Sequence, residues 1–124
     1  MLNRVKKIVI IEDDTDAQEV YQTVLSEHHF QPFFATSGQL GLQLIKSEKP
    51  HLIILDLMLP GILTGMDVLG AIRKYPALVP IPVLVVTNLL SEKTRAIEAG
   101  ATDFVGKMTT SLDELVKIIE KYAI

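Results

Sequence analysis

His51-Leu52-Ile53-Ile54-Leu55-Asp56-Leu57 is the stretch that decides how this sequence is read. Its continuous aliphatic run suits a strand covered on both faces, as in a parallel sheet. The run ends in an aspartate, with Leu57, Met58 and Leu59 beyond it. A carboxylate in such apolar company is costly unless it is paired or bound to a cation. The segment therefore implies both a buried sheet and a polar site at one end of it.

Working outward, four more apolar runs alternate with helix-like segments. Ile8-Val9-Ile10-Ile11 is a β-branched block that ends in Glu12, Asp13 and Asp14. Residues 30–36 form a weaker strand, and Pro32 within it points to a sheet edge. Pro82-Val83-Leu84-Val85-Val86-Thr87 is a fourth strand and Asp103-Phe104-Val105-Gly106-Lys107 a fifth. The first helix follows Thr15, which has capping-box spacing to Gln18, and carries Val20, Val24 and Leu25 as its apolar stripe. The second covers 38–47, with Leu40, Leu44 and Ile45 facing inward and Pro50 beyond its end. A loop with Pro60, Gly61 and Gly65 leads to a third, which ends near Tyr75 and Pro76. A short fourth helix, 91–99, is closed by Gly100. The last opens on the capping box Ser111-x-x-Glu114 and buries Leu112, Leu115, Val116 and Ile119. The order is (βα)₅. It predicts an α/β fold, a doubly wound five-stranded parallel sheet with right-handed crossovers, formed by a single domain over residues 1–124.

The 124 residues suit one core. Twelve Lys and Arg against 15 Asp and Glu give a net charge of −3, too mild for a nucleic-acid surface. Cysteine is absent, which excludes disulfides and thiolate metal sites and fits a reducing cytoplasm. The apolar run at 8–11 is too short for a leader peptide or a membrane span.

The unusual polar residues fall at strand ends: Glu12 and Asp13 after the first, Asp56 after the third, Thr87 after the fourth and Lys107 after the fifth. In an open α/β sheet that edge is where ligands bind. Taken singly, each has an ordinary structural explanation. Asp13, Asp14 or Asp16 could cap the next helix, and a strand-end Thr or Lys is commonly a solvated group. Together they make three carboxylates, one hydroxyl and one ammonium. Clustered carboxylates repel one another without a cation, and their oxygens suit Mg²⁺. With it, one of them could act as a nucleophile on phosphorus.

Ile8-Val9-Ile10-Ile11-Glu12-Asp13-Asp14, Leu55-Asp56-Leu57-Met58-Leu59-Pro60-Gly61, Val85-Val86-Thr87 and the run Glu98-Ala99-Gly100-Ala101-Thr102-Asp103-Phe104-Val105-Gly106-Lys107 resemble the receiver domains of two-component response regulators. The resemblance covers nearly the whole chain. It implies a flavodoxin-like strand order 2-1-3-4-5 and the following roles. Asp56 is the phosphoacceptor. Asp13 binds Mg²⁺ directly, Glu12 through water, and the Met58 backbone carbonyl is a further ligand. Thr87 and Lys107 contact the phosphoryl group, and the Phe104 rotamer follows Thr87. The donor is a phosphohistidine on a sensor histidine kinase or a histidine phosphotransfer domain. An effector or a second copy would read the face of the fourth helix, fifth strand and fifth helix, with no direct nucleic-acid or membrane contact. Such a chain is a cytoplasmic switch and not a turnover enzyme.

Four features depart from the family pattern. Met108 follows Lys107 where proline is usual, which predicts a trans peptide there. Asn88 follows Thr87 where a small residue is common. The loop before Gly65 is about one residue longer, and the stretch from Thr87 to Gly100 about two residues shorter. That last stretch leaves roughly two helical turns, with Ser91 as N-cap and Ala96 and Ile97 facing inward. Three other readings stand beside this one. A receiver-like binding module without phosphorylation sits poorly with the full acid set. A phosphohydrolase of the haloacid-dehalogenase type carries a second acid where this chain has Met58. A flavodoxin-like cofactor binder needs a Gly-rich phosphate loop that is missing here.

Overall fold

The computed structural model describes residues 5–124; Met1, Leu2, Asn3 and Arg4, which the single-domain reading includes, lie outside them. Five strands, β1 (Lys6–Ile11), β2 (Phe30–Ala35), β3 (Leu52–Leu55), β4 (Val83–Thr87) and β5 (Asp103–Gly106), alternate with α1 (Thr15–Glu27), α2 (Gly38–Glu48), α3 (Gly65–Lys74), α4 (Lys93–Glu98) and α5 (Leu112–Tyr122). All neighbouring strands are parallel, in the order β2-β1-β3-β4-β5. This is the flavodoxin-like arrangement expected from the sequence.

The pleat divides the aliphatic runs between two cores. Val9, Ile11, Ile53, Leu55, Val83 and Val85 pack with Ile45, Leu69 and Ile72 of α2 and α3. Ile8, Ile10, Leu52, Ile54, Leu84 and Val86 pack with Leu25 and Ile119 of α1 and α5. Side chains alternate faces along a strand, so a strand buried on both sides must be apolar at every position. Each fully buried Ile or Leu contributes roughly 1.5–3 kcal/mol relative to exposure. β2 lies at an edge, where Pro32 costs no interior ladder bond.

The helix starts differ in one instructive way. Ser37 caps α2, and Ser111 with Glu114 forms the expected capping box of α5. An unforeseen box, Thr64 with Asp67, opens α3. At α1 the cap is Asp14, whose carboxylate accepts the Asp16 N–H at 3.0 Å. Thr15 is instead the first helical residue. Gln18 makes no box with it, because its side chain reaches back to the Glu12 carbonyl.

Several residues expected inside are exposed: Val20, Leu40, Ile97 and Leu112. Val20, Leu40 and Ile97 each lie one residue from the one that is buried, namely Tyr21, Gly41 and Ala96, whereas Leu112 is the first residue of α5, a full turn before buried Val116. Periodicity alone leaves the phase of a short stripe open by about one residue.

The segment between β4 and β5 is as short as expected. A 3₁₀ turn at Leu90–Glu92 precedes the six-residue α4. Ser91 is not the cap; it lies inside that turn, and neither the turn nor α4 has a side-chain cap. Glu92 instead pairs with Arg95 at 2.7 Å. Gly100 ends the segment with φ of +111°. A Cβ there would also meet Arg73 Cγ at 2.6 Å, because the Arg73 guanidinium donates to the Gly100 carbonyl. Among the described residues every peptide is trans, Lys107–Met108 included. A helix this short and uncapped depends on Ala96 for its attachment. Amides 93–99 should therefore exchange with solvent much faster than those of 52–55, as hydrogen exchange read by mass spectrometry or NMR will reveal.

Candidate functional site

Parallel pairing brings the carboxyl ends of β1, β3, β4 and β5 to one edge of the sheet. Glu12 directly follows β1 and Asp56 directly follows β3. The Asp56 N–H donates to the Ile11 carbonyl at 3.1 Å, so the two acidic segments share one ladder. Glu12 is only 2 % exposed and Asp56 6 %, whereas Asp13 is exposed. The three carboxylates each place an oxygen within 4.8 Å of the others. Two buried acids this close are unfavourable without a cation.

The cation present is Lys107, one residue past β5. Its ammonium donates to Glu12 Oε1 at 2.5 Å and to Asp56 Oδ2 at 2.7 Å. The remaining oxygens take backbone donors: Asp14 N–H reaches Glu12 Oε2 at 3.2 Å, and Met58 N–H reaches Asp56 Oδ1 at 3.1 Å. Burial pushes the Glu12 carboxyl above its ordinary range and the Asp56 charge adds to this, while Lys107 and the Asp14 amide oppose it. Burial alone would lower the Lys107 ammonium, but its bonds to Asp56 and Glu12 outweigh that and raise it. Tyr21 lies buried behind the acids. Burial first, then the charges of Glu12 and Asp56, push its phenol far up.

An open cleft lies over these groups, lined among others by Asp13, Asp56, Met58, Thr64, Asn88 and Lys107. Thr87 is fully buried at the end of β4. Its hydroxyl accepts the Leu89 N–H at 3.3 Å, and its carbonyl accepts the Lys107 N–H at 3.0 Å. Phe104 is half-buried against the core cluster beneath α2 and α3. The structure thus gathers Glu12, Asp13, Asp56, Met58 and Lys107 around one cleft. Thr87 and Phe104 sit beside it, outside the residues that line it.

The three acids, with the Met58 backbone at the same rim, are a hard-oxygen donor set of the kind that suits Mg²⁺. The groups that hold this set in place are not legible in the sequence pattern. There Asp14 reads as a helix cap, Gln18 as part of a capping box and Gly65 as a loop residue. Gly65 opens α3 directly against the acidic loop. A Cβ on it would meet the Leu57 Cα at 2.4 Å and the Asp56 carbonyl oxygen at 2.5 Å. Only the folded backbone reveals that approach.

Residues 8–120 match the family described as the response regulator receiver domain. The response regulator MprA of Mycolicibacterium vanbaalenii is 32% identical over 110 residues, which is 89% of this chain and 47% of that protein. The chain spans about half the length of the curated relatives it matches. The BeF3-activated N-terminal receiver domain of Klebsiella pneumoniae RstA superposes with a TM-score of 0.84 at 28% identity, covering 94% of this chain and 97% of that one. The signal receiver domain of a signal transduction histidine kinase from Syntrophus aciditrophicus gives 0.87 at 26% identity, covering 96% and 90%.

Two substitutions probe the geometry. Gly65→Ala should cost about 1–3 kcal/mol in urea unfolding, because the methyl group has backbone in its path. Lys107→Met should destabilise the metal-free protein by about 1–3 kcal/mol at neutral pH. This is less than for a fully buried pair, because the lysine side chain is 24% exposed. Glu12 binds its proton more readily in the folded than in the unfolded chain, so stability rises as pH falls toward the ordinary glutamate value. Lys107 opposes the upward shift of the Glu12 carboxyl, so without it Glu12 takes its proton more readily still, and the deficit of Lys107→Met should shrink on mild acidification, measured as unfolding midpoints across pH 7 to 5.

Proposed function

The chain belongs to the response-regulator receiver domain family, and on that premise we propose that it is a phosphorylation switch whose acceptor is Asp56. The observation that carries this reading is the buried Asp56 carboxylate, within 2.7 Å of the Lys107 ammonium and clustered with Glu12 and Asp13 beside an open cleft. An Asp56 oxygen attacks phosphorus. The O–P bond forms as the bond from phosphorus to the donor imidazole nitrogen breaks, and the phosphoryl group passes to the carboxylate. Lys107 offsets charge on the phosphoryl oxygens. Thr87 turns its hydroxyl from the Leu89 amide toward the new group, and the Phe104 rotamer follows it.

Glu12, Asp13, Asp56 and the Met58 carbonyl would hold Mg²⁺. When bound, the ion supplies neutralising charge for the acids and the incoming phosphoryl oxygens. The donor is the phosphohistidine of a sensor histidine kinase or a histidine phosphotransfer domain. Output passes through the surface of α4, β5 and α5 to an effector or a second copy. Residues 1–124 act as one receiver unit in the cytoplasm. Among the described residues no helix is long and apolar enough to cross a membrane. The haloacid-dehalogenase alternative is disfavoured by Met58, whose exposed thioether stands where that chemistry needs a second acid.

Incubated with a small phosphodonor and Mg²⁺, the chain should gain the mass of one phosphoryl group, and Asp56→Asn should not. Equal labelling of that variant in intact-mass spectra would remove Asp56 from its role. Mg²⁺ should also raise the melting temperature by mass action. In calorimetric titration Asp13→Asn should bind Mg²⁺ more weakly. In the absence of metal that variant should melt no lower than the unaltered chain, since like-charge repulsion is relieved.

A further inference from the structure

We infer that Gln18 is a positioning residue for the divalent-cation site, acting on Asp13 through the backbone carbonyl of Glu12. The inference rests on the metal-site reading above and adds a residue to it. Gln18 lies in the first turn of α1 and is half-buried. Its backbone N–H closes the first helical bond to Asp14 at 3.0 Å. Its side-chain amide donates to the Glu12 carbonyl oxygen at 2.6 Å.

That bond falls on the least supported part of the site. The Glu12 carboxylate is held by Lys107 and by the Asp14 amide, and the Asp56 carboxylate by Lys107 and the Met58 amide. Among the described residues nothing donates to the Asp13 carboxylate, so its place near the other two is set by its own backbone. The peptide joining Glu12 to Asp13 is free to rotate unless its carbonyl or its N–H is fixed. The Glu12 N–H is tied to the Ala35 carbonyl at 3.0 Å, which secures the peptide before Glu12. Gln18 secures the one after it. Because Asp14 caps α1 and Gln18 belongs to the same turn, the helix start and the acid loop form one unit. Outer hydrogen-bond partners of this kind orient metal ligands, and losing one commonly weakens metal affinity by about 10–100-fold.

The test uses the metal-free chain and Mg²⁺ itself. Gln18→Met keeps the side-chain length and helix propensity but removes the donor. Gln18→Asn keeps the amide on a stem one methylene too short to reach. Both should bind Mg²⁺ about tenfold more weakly in isothermal titration calorimetry, with apo unfolding midpoints close to that of the unaltered chain. With a small phosphodonor, the Mg²⁺ concentration giving half the maximal labelling rate should rise by a similar factor. The rate at saturating Mg²⁺ should return close to the unaltered value. Unchanged Mg²⁺ affinity in both variants, measured where Asp13→Asn does weaken binding, overturns the role of Gln18 alone. A lower labelling rate that saturating Mg²⁺ does not restore, accompanied by lower apo stability, also overturns it, since that is the mark of a general folding role. If the unaltered chain binds no Mg²⁺, the metal site falls and this inference falls with it.

Discussion

The interaction on which the rest of this structure depends is the bridge from Lys107 to Glu12 and Asp56. It joins the ends of β5, β1 and β3, three strands far apart in sequence. Two carboxylates almost without solvent, within reach of each other, would drive the edge of the sheet apart or take up protons. One ammonium placed between them removes that conflict. Burial still holds the Glu12 carboxyl above an ordinary glutamate, with the Asp56 charge a lesser contribution. One ammonium among three clustered carboxylates leaves net negative charge, which a further cation would offset.

Around this bridge the backbone does the detailed placing. Met58 and Asp14 each donate an amide to an acid two residues earlier in the chain. Gln18 fixes the carbonyl between Glu12 and Asp13. Gly65 lets α3 start in contact with the Asp56–Leu57 backbone. These contacts are local, yet each is available only because the sheet beneath is rigid. Fully buried aliphatic residues fill both of its faces at β1, β3 and β4, and the ladder between β1 and β3 runs into the Asp56 amide.

Rigidity is not uniform along that edge. β3 is central and doubly covered, whereas the segment from Asn88 to Ala99 is a 3₁₀ turn and six helical residues without a side-chain cap. Thr87 lies between the two regimes. It is buried in β4, tied to Lys107 through its carbonyl and to Leu89 through its hydroxyl. A change in what the hydroxyl bonds would be felt first in the weakest element next to it. Arg73 limits how far such a change travels, because its guanidinium holds the Gly100 and Ile81 carbonyls and so pins the far end of α4 to the start of β4.

Much of this was legible in the residues themselves. The aliphatic runs at 8–11, 52–55 and 83–86 point to doubly buried strands, and the acid or hydroxyl closing each of them, with Lys107 closing the fifth strand, marks the functional edge. The shortness of the α4 segment followed from counting between Thr87 and Gly100. What the sequence left open was phase and partnership. Val20, Leu40, Ile97 and Leu112 are as apolar as their buried neighbours, and which of them turns inward depends on how each helix sits on the sheet. Thr15 and Gln18 satisfy a capping pattern in sequence, yet Asp14 takes the cap and Gln18 turns to Glu12, because the strand delivers an unpaired carbonyl within its reach. Residue identity thus determined the alternating fold and the edge where charge collects. Tertiary structure alone decided which polar groups meet, since hydrogen bonds and ion pairs require distances of about 3 Å that no one-dimensional spacing specifies.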